Sequence, residues 1–156
     1  KNMNGDPQVI RQLDEYLSFE LTGHRQYLLN AATCRHWGFA RLAAAQQAYS
    51  EEETTHAARI MARILLLGGT PSMGSPRAVE SRDTVAKQLE SDRALVSAAI
   101  DHLRAAIGIC ERGHDFASRD LMAQMLDDEE LHLDWLDRQL GLIARVGLQE
   151  YLQAQM

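Results

Sequence analysis

The sequence predicts an all-α fold: four long helices arranged as two antiparallel hairpins with a long crossover between them, plus a short fifth helix at the C-terminal end. Three observations predict it. Apolar residues recur at the three- and four-residue spacing of a single helix face through four long segments. No stretch of any length alternates apolar and polar residues as a half-buried strand would. The connections are short within each half of the chain and long between the halves, which makes the helices of one half antiparallel neighbours.

Helix one is expected over about 6–37, because Asp6-Pro7 offers a capping side chain followed by a proline tolerated at the first helical position. Its inner stripe reads Ile10, Leu13, Leu17, His24, Tyr27 and Ala31, with Glu20 in the same stripe, and Trp37-Gly38 ends it. Helix two, about 41–67, carries Leu42, Ala45, Tyr49, Ile60 and Leu67 and stops at Gly68-Gly69, a left-handed C-terminal cap. The stretch 68–82 contains Pro71, Gly74, Pro76 and several serines and is too long for a tight hairpin, so it reads as the crossover. Helix three, about 83–112, has Val85, Leu89, Val96, Ala99, Leu103 and Ala106 on its inner face and closes at Gly113. Helix four, about 115–146, buries Met122, Met125, Leu136, Leu140 and Ile143; Gly147 interrupts it, and 148–154 forms the fifth helix.

At 156 residues, 46% of them hydrophobic and 24% charged, the chain reads as one ordinary domain with a substantial core. No stretch approaches the roughly 20 apolar residues of a membrane span and no charged-then-apolar leader opens the chain, which gives the expectation of a cytoplasmic protein without a membrane partner. The net charge of −6 comes from acids scattered along the helices, which argues against a nucleic-acid surface. Cys34 and Cys110 form no Cys-x-x-Cys pair and read as small core residues of a reduced protein.

Two copies of one pattern carry the chemistry, Glu53-Thr54-Thr55-His56 and Glu129-Glu130-Leu131-His132. Residues three apart on a helix share a face, so each pattern presents a carboxylate and an imidazole side by side. Both fall inside the apolar stripe of their helix. A carboxylate turned into a core without a partner costs several kcal/mol or gives up its charge, so two such pairs and the inward Glu20 call for a shared cation. Glu20 precedes Glu53 by 33 positions, and the same offset before Glu129 falls on Val96. Two helices contributing one Glu each and two contributing Glu-x-x-His is the arrangement of ferritin-like di-metal sites, of which Glu20, Glu53, His56, Glu129 and His132 supply five of six ligands.

The chain resembles the bacterioferritins, in the ferritin-like superfamily, over essentially its whole length. The residues that carry the resemblance are Met3-Asn4-Gly5-Asp6-Pro7, Glu20-Leu21, Gln26-Tyr27, Trp37-Gly38, Ala106-Ile107-Gly108, His114-Asp115, Ser118-Arg119-Asp120, Asp128-Glu129-Glu130 with His132, Asp134-Trp135-Leu136, Gly147-Leu148-Gln149 and Tyr151-Leu152-Gln153-Ala154-Gln155. The resemblance implies a ferritin-like bundle assembling into a hollow cage of twenty-four subunits that takes up ferrous iron, oxidises it with dioxygen or peroxide at an intrasubunit ferroxidase centre and stores a ferric mineral. It implies Glu20 and His56 as terminal ligands of one iron, Glu53 as a bridge, Glu129 and His132 as the terminal pair of the second half, and a ferredoxin-like electron donor for iron release. Tyr27, on the Glu20 face, is expected to hydrogen-bond a ligand carboxylate.

Two departures from the family pattern matter. A second bridging carboxylate is expected at position 96, where Val96 can neither ligate nor hydrogen-bond; three carboxylates leave two ferrous ions with one surplus positive charge in a low-dielectric core. The centre is thus either di-iron, completed by hydroxide or a neighbour such as Asp92 one turn away, or a single-iron site. In haem-binding members a methionine directly follows the first glutamate of the first Glu-x-x-His; here Thr54, a hard and poor substitute for a thioether, stands there. Haem b is therefore not expected in a homo-oligomer, while a mixed cage with a second, methionine-bearing bacterioferritin subunit stays open.

His24 reads as a core histidine, and His36, His102 and His114 as surface or capping residues. Glu51, Glu52 and Glu130 read as solvated or cavity-facing, Glu52 being the better candidate for an inner-surface iron contact. Two functions follow: a catalytic iron-storage subunit, for which the five retained ligands speak, or a weakly catalytic shell subunit working with an active partner, for which Val96 speaks. The Cys-rich segment of a rubrerythrin-like peroxidase is missing, and a DNA-protecting mini-ferritin would place its metal between subunits.

Overall fold

The Asp6 side chain accepts a hydrogen bond from the Gln8 backbone N–H at 2.8 Å with Pro7 in the first turn, and from this cap α1 runs over Pro7–His36 in the computed structural model, which describes residues 3–73 and 77–156. Gly38 takes a left-handed φ of +88°, so only three residues separate α1 from α2, Ala40–Leu66, and the two pack antiparallel. Gly68 at φ +85° closes α2, the Gly69 N–H reaching back to the Ile64 carbonyl at 2.9 Å. Gly74 and Pro76 of the expected crossover lie outside the described residues.

The third helix, α3, spans Val85–Arg112 and begins two residues later than Asp83, because the Thr84 hydroxyl rather than the Asp83 carboxylate caps it, accepting from the Lys87 N–H at 3.2 Å. Asp83 instead pairs with the Lys87 ammonium at 2.9 Å. Asp115 caps α4, Phe116–Val146, by accepting from the Ser118 N–H at 3.0 Å. Gly147 at φ +87° turns the chain into α5, Leu148–Gln153. The tail folds back: the Tyr151 hydroxyl donates to Gln139 Oε1 at 2.8 Å and the Arg41 N–H to the Gln155 carbonyl at 2.9 Å.

Helices α1 and α2 form one hairpin, α3 and α4 the other, with α1 against α3. The apolar core falls into two clusters. One gathers Val9, Leu13, Tyr16, Leu17, Ile60, Ile64, Leu103, Met122 and Met125; the other gathers Leu42, Leu89, Val96, Ile100, Leu136 and Tyr151. Leu140 and Ile143, read from the sequence as buried, are only half-buried at the far end of α4. Cys34 and Cys110 are buried free thiols. Along α1, α2 and α4 the stretch between the two apolar clusters is polar and buried, Glu20 to Asn30, Gln46 to His56, and Glu129 with His132. That layer is where the fold places its chemistry. Among the described residues no helix is long and apolar enough to cross a membrane.

Candidate metal centre

Helical spacing alone puts Glu53 and His56 on one face of α2, and the antiparallel hairpin brings that face against Glu20 of α1 while α4 supplies Glu129 from the other side. One ligand atom from each of Glu20, Glu53, His56 and Glu129 lies within 4.8 Å of every other, and all four side chains are buried. Glu20 is wholly enclosed, and both of its oxygens lack a hydrogen-bond partner among the described residues. His56 Nδ1, equally enclosed and unbonded, stands 3.4 Å from Glu20 Oε2. Buried polar atoms left in this state cost about 1–3 kcal/mol each, and more when charged. A divalent cation between them removes that cost, so the donor set fits a hard or borderline metal.

Glycine 23 makes the approach of α2 possible. A Cβ built there would lie 3.1 Å from Glu53 Oε2 and 3.2 Å from the Tyr27 ring. On the outer side of the cluster, His56 Nε2 hydrogen-bonds Asp128 Oδ2 at 2.8 Å, and Glu52 Oε1 lies 3.7 Å away. A carboxylate on one ring nitrogen leaves the other facing the centre.

Electrostatics agree with a site built for a cation. Burial, then the charge of Glu20, pushes the Glu129 carboxyl up to about 8, against the lowering effect of His56. Burial, followed by Glu20, likewise raises Glu53. Burial by itself would lower His56, but the neighbouring Glu20 carboxylate and the bond to Asp128 carry it up to about 9. Without a metal the cluster therefore retains protons at neutral pH.

The other expected residues lie outside this four-residue group. His132 is buried but stacks on Tyr49 with ring centroids 3.6 Å apart and an interplanar angle of 11°, and burial lowers it to about 3, so it is neutral. Its Nε2 is enclosed without a hydrogen-bond partner among the described residues. Asp92 turns away from the cluster: Asn30 donates to both of its oxygens at 3.0 and 3.1 Å, and Gln46 donates to Oδ2 at 2.9 Å. Val96 sits in the apolar cluster with Leu89, Ile100 and Leu136. Tyr27 is buried with its ring edge-on to His132 at 5.1 Å. The hydroxyl that reaches a carboxylate belongs to Tyr16, which donates to Glu129 Oε1 at 3.3 Å.

The surface readings divide. Thr54 is exposed, and its hydroxyl lies 3.0 Å from His24 Nδ1, which also meets the Ser50 hydroxyl at 2.9 Å; His24 is thus a polar clasp between α1 and α2. His102, read as a surface or capping residue, is half-buried and stacks on Tyr16 with ring planes 8° apart. Sequence reasoning missed Tyr16 and Asp128. Their signal was present, Tyr16 standing four residues before Glu20 and Asp128 four before His132, but nothing in the spacing says that these groups meet the ligands of another helix.

Comparison with known proteins gives a consistent result. The Ferritin family, described as a ferritin-like domain, matches residues 10–146. The chain is similar to a bacterial ferritin of Pseudomonas aeruginosa, 44% identical over 159 residues that cover 99% of this chain and 100% of that protein. It is also similar to a bacterial ferritin of Synechocystis, 37% identical over 99% of both chains, and to a bacterioferritin of Mycobacterium avium, 38% identical over 96% of this chain and 94% of that one.

Proposed function

From the premise that the chain belongs to the ferritin family, we propose that it is an iron-storage subunit that binds Fe(II) at the buried centre, oxidises it there and stores the ferric product inside a cage. The observation that carries this reading is Glu20, whose two enclosed oxygens face Glu53, His56 and Glu129 with no other partner among the described residues. Three carboxylates and one imidazole supply hard anionic and borderline donors for the ferrous substrate. The bond from His56 Nε2 to Asp128 fixes the proton on that nitrogen and presents Nδ1 to the ion. Anionic ligands favour the higher charge of Fe(III), and the electron leaves to dioxygen or peroxide.

A second reading has its own support. Val96 is apolar and buried, and His132 is packed under Tyr49. In that reading the chain holds one tight ion or none rather than two and works as a non-catalytic or weakly catalytic shell subunit beside a ferroxidase-active or haem-binding partner. Self-assembly into twenty-four subunits, cytoplasmic placement, a ferredoxin-like donor and the absence of haem at Thr54 belong to the same proposal.

The test is to load metal-free protein anaerobically with Fe(II), count the ions bound per subunit, and admit oxygen while following the near-ultraviolet ferric absorbance. Two tight ions and a fast oxidation phase that Val96→Glu changes little support the first reading; one ion or none, with slow oxidation that Val96→Glu accelerates, supports the second. Glu20→Ala is expected to weaken binding at least about tenfold. Binding that Glu20→Ala leaves untouched would remove the centre from the proposal.

A further inference from the structure

The hydroxyl of Tyr16 stands where no ligand is assigned. Tyr16 is wholly buried on α1, one turn before Glu20, and donates to Glu129 Oε1 at 3.3 Å. Its ring packs in a three-ring cluster with Phe19 and His102, whose centroids lie 6.4 and 6.2 Å from it and 5.4 Å from each other, and His102 is itself tied by Nε2 to the Gln12 carbonyl at 3.2 Å. Burial and this cluster hold the ring, and with it the hydroxyl, in place.

We propose that Tyr16 is a ligand of the oxidised iron, its phenolate oxygen adding an anionic donor to Glu20, Glu53, His56 and Glu129; the inference rests on the metal-centre reading above. Two oxygens bound side by side on a six-coordinate ion at about 2.1 Å lie about 3 Å apart, the separation already present between the Tyr16 hydroxyl and Glu129. A phenolate is a hard oxygen donor suited to Fe(III), and tyrosinate holds ferric iron in the haem of catalase. Tyr27 is less well placed, with its ring against His132 and Tyr49. In the binding step the Tyr16 O–H bond breaks, an O–Fe(III) bond forms, one proton passes to solvent, and the iron, already oxidised by dioxygen, keeps its oxidation state.

The experiment uses the assembled full-length protein loaded with one Fe(II) per subunit, oxidised in air and desalted, then read by visible absorption and resonance Raman. A long-lived purple charge-transfer band with tyrosinate ring modes is expected in the wild type and in Tyr27→Phe. It is expected to vanish in Tyr16→Phe, which retains its ring packing and its iron and releases one proton fewer per ion. Iron retained in the wild type without tyrosinate modes overturns the assignment whether or not the variant folds, and so does a band unchanged in Tyr16→Phe. Failure of the wild type to retain any iron overturns the metal-centre reading and this inference together.

Discussion

Glycine 23 and the two protonated ligands set what the centre can hold. A methyl group at position 23 would meet Glu53 Oε2 at 3.1 Å, so Gly23→Ala pushes the carboxylate or the Tyr27 ring aside by a few tenths of an ångström. Overpacking of this kind typically costs about 1–3 kcal/mol. A lower melting temperature together with weaker Zn(II) binding by titration calorimetry is expected; unchanged Zn(II) affinity would show that Glu53 has room to move. The pH dependence follows from the same cluster. With Glu129 raised to about 8 and His56 to about 9, metal binding displaces protons, so affinity rises from pH 6 to pH 9. For the metal-free protein the sign reverses. Groups whose folded pKa is raised contribute stability below their unfolded values, and that contribution is lost as pH climbs through 8 and 9. Calorimetric scans with and without Zn(II) are expected to diverge as pH rises.

The helix ends are decided by single side chains, and the α4 start is the clearest case. Asp115 accepts from the Ser118 N–H at 3.0 Å and from the Ser118 hydroxyl at 2.6 Å, and pairs with Arg63 of α2 at 2.9 Å. One carboxylate therefore caps α4 and ties it to the helix that carries Glu53 and His56. Asp115→Ala is expected to cost about 1–2 kcal/mol in urea unfolding at neutral pH. Burial works against ionisation, but the Ser118 and Arg63 bonds outweigh it and hold Asp115 below the usual carboxylate range. Its stabilisation is thus present above the unfolded pKa and fades as pH falls through the folded one, and the gap between variant and wild type should close in acid. The sequence named the Asp6, Asp115, Gly68 and Gly147 signals because capping is local. It misplaced the α3 start by two residues because Asp83 and Thr84 both suit a cap, and the ion pair with Lys87 took Asp83.

At the scale of the assembly, the proposal requires twenty-four copies of the 17.5 kDa chain, about 420 kDa by light scattering. A twelve-subunit shell would overturn it. Thr54 faces outward with its hydroxyl on His24, so added haem is expected to give no methionine-ligated Soret band. Thr54→Met, which restores a thioether, is expected to create one.

Four helices, their order and their facing residues were determined by the sequence itself, because a 3.6-residue period fixes which side chains share a face and caps fix where a helix ends. Glu20, Glu53, His56 and Glu129 were legible for the same reason, while the departure at Val96 was read from the 33-residue offset shared by the two halves and from the family resemblance. The tertiary structure alone decided which groups meet across helices. It set Tyr16 against Glu129, put Asp128 on the far side of His56, locked Asp92 between Asn30 and Gln46, and stacked His132 under Tyr49. Those meetings depend on the relative height and rotation of packed helices, which are fixed by the filling of the two apolar clusters on either side of the polar layer rather than by any spacing within one helix.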